Sequence, residues 1–172
     1  MAKVKLGDYF GPVDLEHRVQ RAFKYKDKWL ASILTYVTAR AIMDRFDGAC
    51  TPFGWQLELK AVPEMGGFLC GISVWDDGKK QWITKWDGAD TTDIESFKGG
   101  ISGSIKRAAV HWGVGRYLYE LEPELAEIRE QKPPNTRKAD IHQFKDKASG
   151  FKGYWASPRL PDRFLPAGVK FE

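Results

Sequence analysis

The chain has 172 residues, enough for one domain with its own core and short for two. Hydrophobic residues at 42% and charged residues at 29% exclude a wholly disordered chain, and no run nears the ~20 apolar residues that span a bilayer. The net charge of +4 belongs to the tail: residues 129–172 hold ten Lys/Arg against five Asp/Glu, a net of +5, and residues 1–128 carry −1. A nucleic-acid site in the body would therefore be a local patch, not a general field. Two cysteines, Cys50 and Cys70, are too few for a disulfide scaffold, and the histidines His17, His111 and His142 are scattered. The start, MAKVKLGDYF, has no apolar signal-peptide core, so a reducing, cytoplasmic setting is expected.

Residues 1–15 read as an irregular arm with a turn at Gly11-Pro12. A β-hairpin follows, with strands over about Glu16–Ala22 and Trp29–Val37 and a lysine-rich tip of Lys24, Lys26 and Lys28. Residues 39–47 predict a short helix, capped by Thr38, ended by Gly48, and apolar at Ile42, Met43 and Phe46. Three strands are expected at Trp55–Val62, Gly67–Trp75 and Lys80–Trp86, the last two joined by the turn Asp76-Asp77-Gly78-Lys79. A long helix is predicted over about Asp93–Tyr119, with Thr92 and Glu95 at capping-box spacing. Its apolar stripe is Ile94, Phe97, Ile101, Ile105, Ala108, Trp112, Gly115 and Tyr119. The opposite face holds Gly99, Gly103, Lys106, Arg107 and Val110. Glycines there read either as close packing within one fold or as a surface that meets a backbone, from a DNA strand or a neighbouring subunit. After Glu120 an acidic run leads to Pro133-Pro134. The tail mixes prolines with Phe151, Tyr154, Trp155, Phe164 and Phe171, as ordered extended tails do.

The sequence holds no nucleophile-elbow, Walker or HExxH motif. Asp76, Asp77, Asp87, Asp90 and Asp93 read as turn and helix-cap residues. The best enzyme alternative is a metal-dependent nuclease using Glu58 and Lys60 on one strand with an upstream Asp47. The nucleic-acid signal is broader. Arg18, Arg21, Lys24, Lys26 and Lys28 in the hairpin, Arg40 and Arg45 on the short helix and Lys106 and Arg107 on the long one are interleaved with Phe23, Tyr25, Trp29 and Tyr36. Cations among aromatics suit a single strand, whose phosphates are neutralised and whose bases stack. A plain assembly module remains a third reading.

Three segments together carry a resemblance. They are Glu16–Ala22, then Tyr36–Arg45 with Gly54-Trp55, then Ser104–Leu118 containing Lys106-Arg107. In order and spacing they resemble the Rad-fifty-two type of single-strand annealing protein, in its bacterial DdrA and phage Sak-like branch. The likeness covers about residues 14–121 and extends to Trp155…Leu160-Pro161…Leu165-Pro166. It implies an α+β fold: a three-stranded antiparallel sheet packed on a long helix in a β-β-β-α core, an N-terminal hairpin and an extended C-terminal tail. The expected division is a core over 1–128 and a tail over 129–172. It implies a ring or helical homo-oligomer that binds single-stranded DNA in a basic groove, without catalytic residues, metal, ATP or other cofactor. A single-strand binding protein or a recombinase is a further expected partner, and a membrane is not. The matching groove positions are Arg21, Tyr36, Lys106 and Arg107, with Arg40 as a further candidate. Val110 stands where eukaryotic members carry a third base, leaving His111 or Arg116 to replace it. Lys24, Lys26, Lys79, Lys80 and Lys85 are candidates for a secondary site.

Overall fold

The computed structural model describes residues 4–90 and 96–169. Thr92, Asp93, Ile94 and Glu95, expected at the start of the long helix, and Phe171 lie outside the described residues. The chain runs β1 (Leu15–Tyr25), β2 (Lys28–Val37), α1 (Ala39–Cys50), β3 (Trp55–Val62), β4 (Gly67–Asp76) and β5 (Gln81–Asp90). It continues through α2 (Ser96–Val110), a short 3-10 helix (Arg116–Glu120), β6 (Glu124–Ile128), β7 (Ile141–Lys145) and β8 (Lys152–Ala156). Antiparallel sheets form in the orders β1-β2-β6 and β3-β4-β5, and β7 pairs with β8. The α+β class and the three-stranded sheet on a helix are as the sequence indicates.

The hairpin is longer than expected. Its strands continue through Lys24 and Tyr25, leaving only Lys26-Asp27 as the turn, with Lys26 in left-handed backbone at φ 53°. Between Val19 and Arg21 the pairing slips by one residue. This β-bulge at Gln20 changes which side chains share a face. Before it, Glu16 and Arg18 share the face of Tyr36 and Leu34; after it, Arg21 and Phe23 join that same face, opposite Ser32 and Leu30. Leu15, His17, Val19, Ala22 and Lys24 take the other side.

Thr38 caps α1, its hydroxyl accepting from the Ala41 N–H at 3.1 Å. The helix does not stop at Gly48 but runs to Cys50 and ends at Thr51, which has φ 63°. Gly48 stays helical because nothing breaks the ladder there, and Val4 of the N-terminal arm covers it. Phe10 of that arm is buried beneath the Arg45 guanidinium, and Arg45 also donates to the carbonyls of Asp8 and Tyr9. Arg45 is thus a strap for the arm, not a free cation.

The α2 helix is shorter and rotated relative to the expectation. Its last turn closes as a Schellman motif, with Gly113 N–H on the Val110 carbonyl (3.0 Å) and Val114 N–H on the Ala109 carbonyl (3.1 Å). Gly113 makes this possible at φ 86°. The buried stripe is Gly100, Ser104, Ile105, Ala108 and Ala109, whereas Phe97 is 67% exposed. Small residues face the sheet because the helix lies close on it. A Cβ at Gly100 would come within 2.7 Å of the Phe68 ring, and one at Gly103 within 3.0 Å of Ala89. Gly103 therefore serves close packing inside the fold, the first of the two glycine readings.

The main core joins Phe10, Val37, Ile42, Phe46, Ile72, Ile105, Val114 and Tyr117 with tail residues Leu160, Phe164 and Leu165. A second cluster, Ala31, Ile33, Ile128 and Trp155, fastens the tail to the hairpin. Two elements there go beyond the sequence expectations. The acidic run forms β6 along the edge of β2, because Ala126 and Ile128 reach this cluster while Glu127 pairs with Lys28 at 3.2 Å. The tail is not simply extended; it folds back as the β7–β8 hairpin.

A histidine on that hairpin, His142, and one on β1, His17, act on each other through charge. His142 stacks on Trp155 at 4.1 Å and bonds the Ser157 hydroxyl at 2.7 Å, and His17 bonds the Thr35 hydroxyl at 2.9 Å. Burial lowers both pKa values, and the His142 charge lowers that of His17 further, against the opposing pull of Asp140. A lowered folded pKa means the native state prefers neutral rings. Their contribution is complete above the ordinary value of 6.5 and is lost as pH falls below it. We expect urea stability to drop between about pH 6.5 and 5, before ordinary carboxylates titrate. Replacing both histidines by glutamine should flatten that slope, and an unchanged slope would refute the assignment.

Candidate nucleic-acid interface

The bulge-aligned face of the hairpin and the C-terminal half of α2 approach each other. Tyr36, on β2, donates from its hydroxyl to Glu16 Oε2 at 2.7 Å. Lys106 Nζ lies 4.9 Å from the centre of the Tyr36 ring, a cation–π contact. Burial, the Glu16 hydrogen bond and the Glu16 charge push the Tyr36 hydroxyl up to about 12, so it remains a donor at neutral pH. Burial and the Arg18 charge lower the Lys106 pKa, against Glu16. An ammonium that is partly desolvated and crowded by another cation gains from an added anion. A phosphate is such an anion.

One helical step further, Arg107 points to β5. Its Nε donates to Asp87 Oδ1 at 3.1 Å, and His111 Nε2 lies 3.1 Å from Asp87 Oδ2. Lys85, two residues before Asp87 on β5, donates to the His111 carbonyl at 2.9 Å and covers the Trp112 ring at 4.3 Å. Burial alone would raise the Asp87 pKa, but the Gly88 N–H, Arg107 and His111 outweigh it and hold the carboxyl below its usual range. Asp87 is therefore a mid-strand anchor and not the turn or cap residue expected from sequence.

The chain's family can be read from the same stretch of sequence. A family model described as Rad52/22 family double-strand break repair protein matches residues 2–137. The chain belongs to the Rad52/22 family. Two curated relatives are both called single-stranded DNA-binding protein DdrA. The one from Deinococcus deserti is 35% identical over 103 residues, covering 56% of this chain and 46% of the relative. That from Deinococcus radiodurans is 34% identical over 104 residues, covering 56% and 45%. The matched part thus spans less than half the length of either relative. No solved structure matches.

Within this Rad52/22 fold, the positions singled out from sequence fall into two groups. Tyr36 and Lys106 touch, and Arg107, His111 and Lys85 gather around Asp87. Arg21 lies on the same hairpin face as Arg18, its guanidinium 5.3 Å from the centre of the Phe23 ring. Arg40 is exposed on the first turn of α1. The secondary lysines do not form one patch. Lys24 sits on the tail side of β1 and Lys26 covers Tyr25 at the hairpin turn. Lys79 and Lys80 are at the β4–β5 turn, with Lys80 on Asp77, roughly 16 Å along the strand from Lys85. Arg116 folds back onto the Val110 and His111 carbonyls and closes the helix end. Arg18 and Asp87 join these candidate positions, Arg18 beside Lys106 and Asp87 beneath Arg107. The face that Arg18 shares with Arg21 needs the bulge to be known, and Asp87 carries no sequence signal beyond a charge in a strand.

The nuclease constellation does not assemble. Glu58 and Lys60 pair with each other at 3.2 Å on the outer side of the sheet, while Asp47 accepts the Trp55 indole N–H at 2.7 Å beneath it. Among the described residues no group of three or more His, Cys, Asp or Glu could hold a metal ion, and no helix is long and apolar enough to cross a membrane.

Proposed function

We propose that this chain binds single-stranded DNA along the strip Arg21, Arg18, Tyr36, Lys106 and Arg107 and promotes annealing of complementary strands as a homo-oligomeric ring. The observation that carries the reading is the meeting of Lys106 with Tyr36 beside Arg18, at positions that match the family's groove pattern. Three cations, Arg18, Arg21 and Lys106, and two aromatics, Tyr36 and Phe23, lie along one side of the hairpin, and Arg107 follows Lys106 on the helix toward β5. Such a strip neutralises a backbone without reading base edges.

The physical task of annealing is small in chemistry and large in electrostatics. Two complementary strands repel each other and fold on themselves. Neutralised phosphates and an extended backbone remove both obstacles, and duplex formation then supplies the driving force. No nucleotide is hydrolysed, no metal is used and no residue acts catalytically. Phosphate neutralisation also makes affinity fall steeply with salt. The protein would act in the cytoplasm, at the nucleoid of a bacterium or of a phage-infected cell.

The test is gel shift and fluorescence annealing on labelled complementary oligonucleotides, with EDTA and a salt series. Annealing accelerated without metal or nucleotide, and weakened by salt, is the expected result. The relatives' name speaks of single-strand binding and not of annealing, so a second reading is binding without annealing, as in protection of DNA ends. Tight binding with no acceleration would select that reading. Absence of binding at low salt would overturn both.

A further inference from the structure

We propose that Asp87 is a positioning residue of the DNA-binding strip, holding Arg107 so that the terminal edge of its guanidinium faces the strand, with His111 on the other carboxylate oxygen; this rests on the single-strand reading above. Charge counting alone argues against a carboxylate there. Lys85, Lys106, Arg107 and Arg116 surround the end of α2, and an acidic group among them repels phosphate. Yet Asp87 is held ionised and fixed, by the Gly88 N–H at 2.7 Å on Oδ1 and by one partner on each oxygen.

The geometry gives the carboxylate a use. Arg107 is engaged through Nε, which orients the plane of the guanidinium and leaves the edge between its two terminal nitrogens for another anion. That terminal edge is the fork that binds phosphate in bidentate fashion. The Arg107 side chain is 54% exposed and that of Asp87 23%, so the anchor sits below and the charge above. His111 is held from the other oxygen in the same way, with 50% of its side chain exposed. A flexible arginine loses rotamer freedom on binding; one already aimed loses less.

This makes an unusual prediction about sign. Asp87→Ala removes one negative charge from the strip, so simple electrostatics predicts tighter binding. Positioning predicts weaker binding. Anisotropy with a labelled oligothymidine, using the full chain at one low salt concentration, should show Asp87→Ala binding roughly three- to tenfold more weakly, as oriented charge-assisted bonds to phosphate disappear. In the Arg107→Ala/His111→Ala background the same change should no longer weaken binding. Tighter or unchanged binding in Asp87→Ala alone would overturn the proposal. An equal loss in both backgrounds would also overturn it, by showing general damage to the packing of β5 on α2. If Asp87→Ala does not fold, Asp87→Asn, which keeps the shape and drops the charge, carries the same two comparisons. Unchanged binding on Arg107→Ala by itself would instead remove the DNA strip from this face, a failure of the underlying reading seen in a different variant.

Discussion

Replacing Lys106 and Arg107 together by alanine is expected to weaken single-strand binding by roughly a hundredfold while leaving the fold in place. In the proposed strip each side chain is expected to hold one phosphate with about 1.4 kcal/mol, or a factor of ten. The salt dependence should flatten as well, by about 0.7 in log–log slope for each phosphate that is no longer neutralised. Folding has little at stake in either side chain. The Arg107–Asp87 pair is partly solvent-exposed at the Arg107 end, and near-surface pairs contribute about 0–1 kcal/mol. Lys106 gives up its place over the Tyr36 ring, but its lowered pKa shows that burial already penalises the charge, so truncation also removes that penalty. Thermal unfolding within a few degrees of the parent, with binding sharply reduced, is the pattern to look for. Binding unchanged in the double variant would sink the assignment of the strip.

Phe46→Ala should have the largest effect on stability, a loss of about 3–5 kcal/mol. Phe46 has no exposed surface, stacks on Trp55 at 5.1 Å and lies between α1 and the sheet in the main core. Its removal leaves a cavity that the rigid helix and strand cannot close. Against a typical total of about 5–15 kcal/mol, that takes a large share of the margin. The measurement is a urea midpoint at unchanged slope. A loss under about 1.5 kcal/mol would mean that the site repacks and that α1 is not fixed by this ring.

Much of this architecture is legible in the sequence because its signals are local. Thr38 caps α1, the alternation at Leu57 and Leu59 marks β3, and the Asp76 turn closes β4 onto β5 with its side chain accepting from Gly78 and Lys79. The features that are not legible depend on residues far away in the chain. The acidic strand β6 has poor strand composition and exists because Ile128 buries against Trp155. The stop of α2 is encoded locally, in Gly113, but an apolar stripe continuing through Trp112 and Tyr119 masks it; Trp112 in fact leaves the helix direction to bond the Ile72 carbonyl. At the candidate site the same division holds. Tyr36, Lys106 and Arg107 stand out by type and spacing. Arg21 owes its alignment with Arg18 to a bulge and Asp87 its place to a strand register, and neither the bulge nor the register leaves a mark in composition.

A β-strand counts in twos, and the bulge at Gln20 resets the count. Arg18 and Arg21 are three apart, an odd step that would send them to opposite sides of a regular ribbon. The extra residue is a phase shift that keeps both on the open side and leaves Ala22 to the side where Trp155 packs. Taking one residue out at this point would alter no charge on the chain. It would exchange the two sides of everything towards the tip, turning Arg21 and Phe23 inward and Ala22 and Lys24 outward. The strip is therefore held as much by the spacing of the chain as by the identity of its cations. A gap of one residue in an alignment of this segment marks an inversion of the surface, not a minor length change.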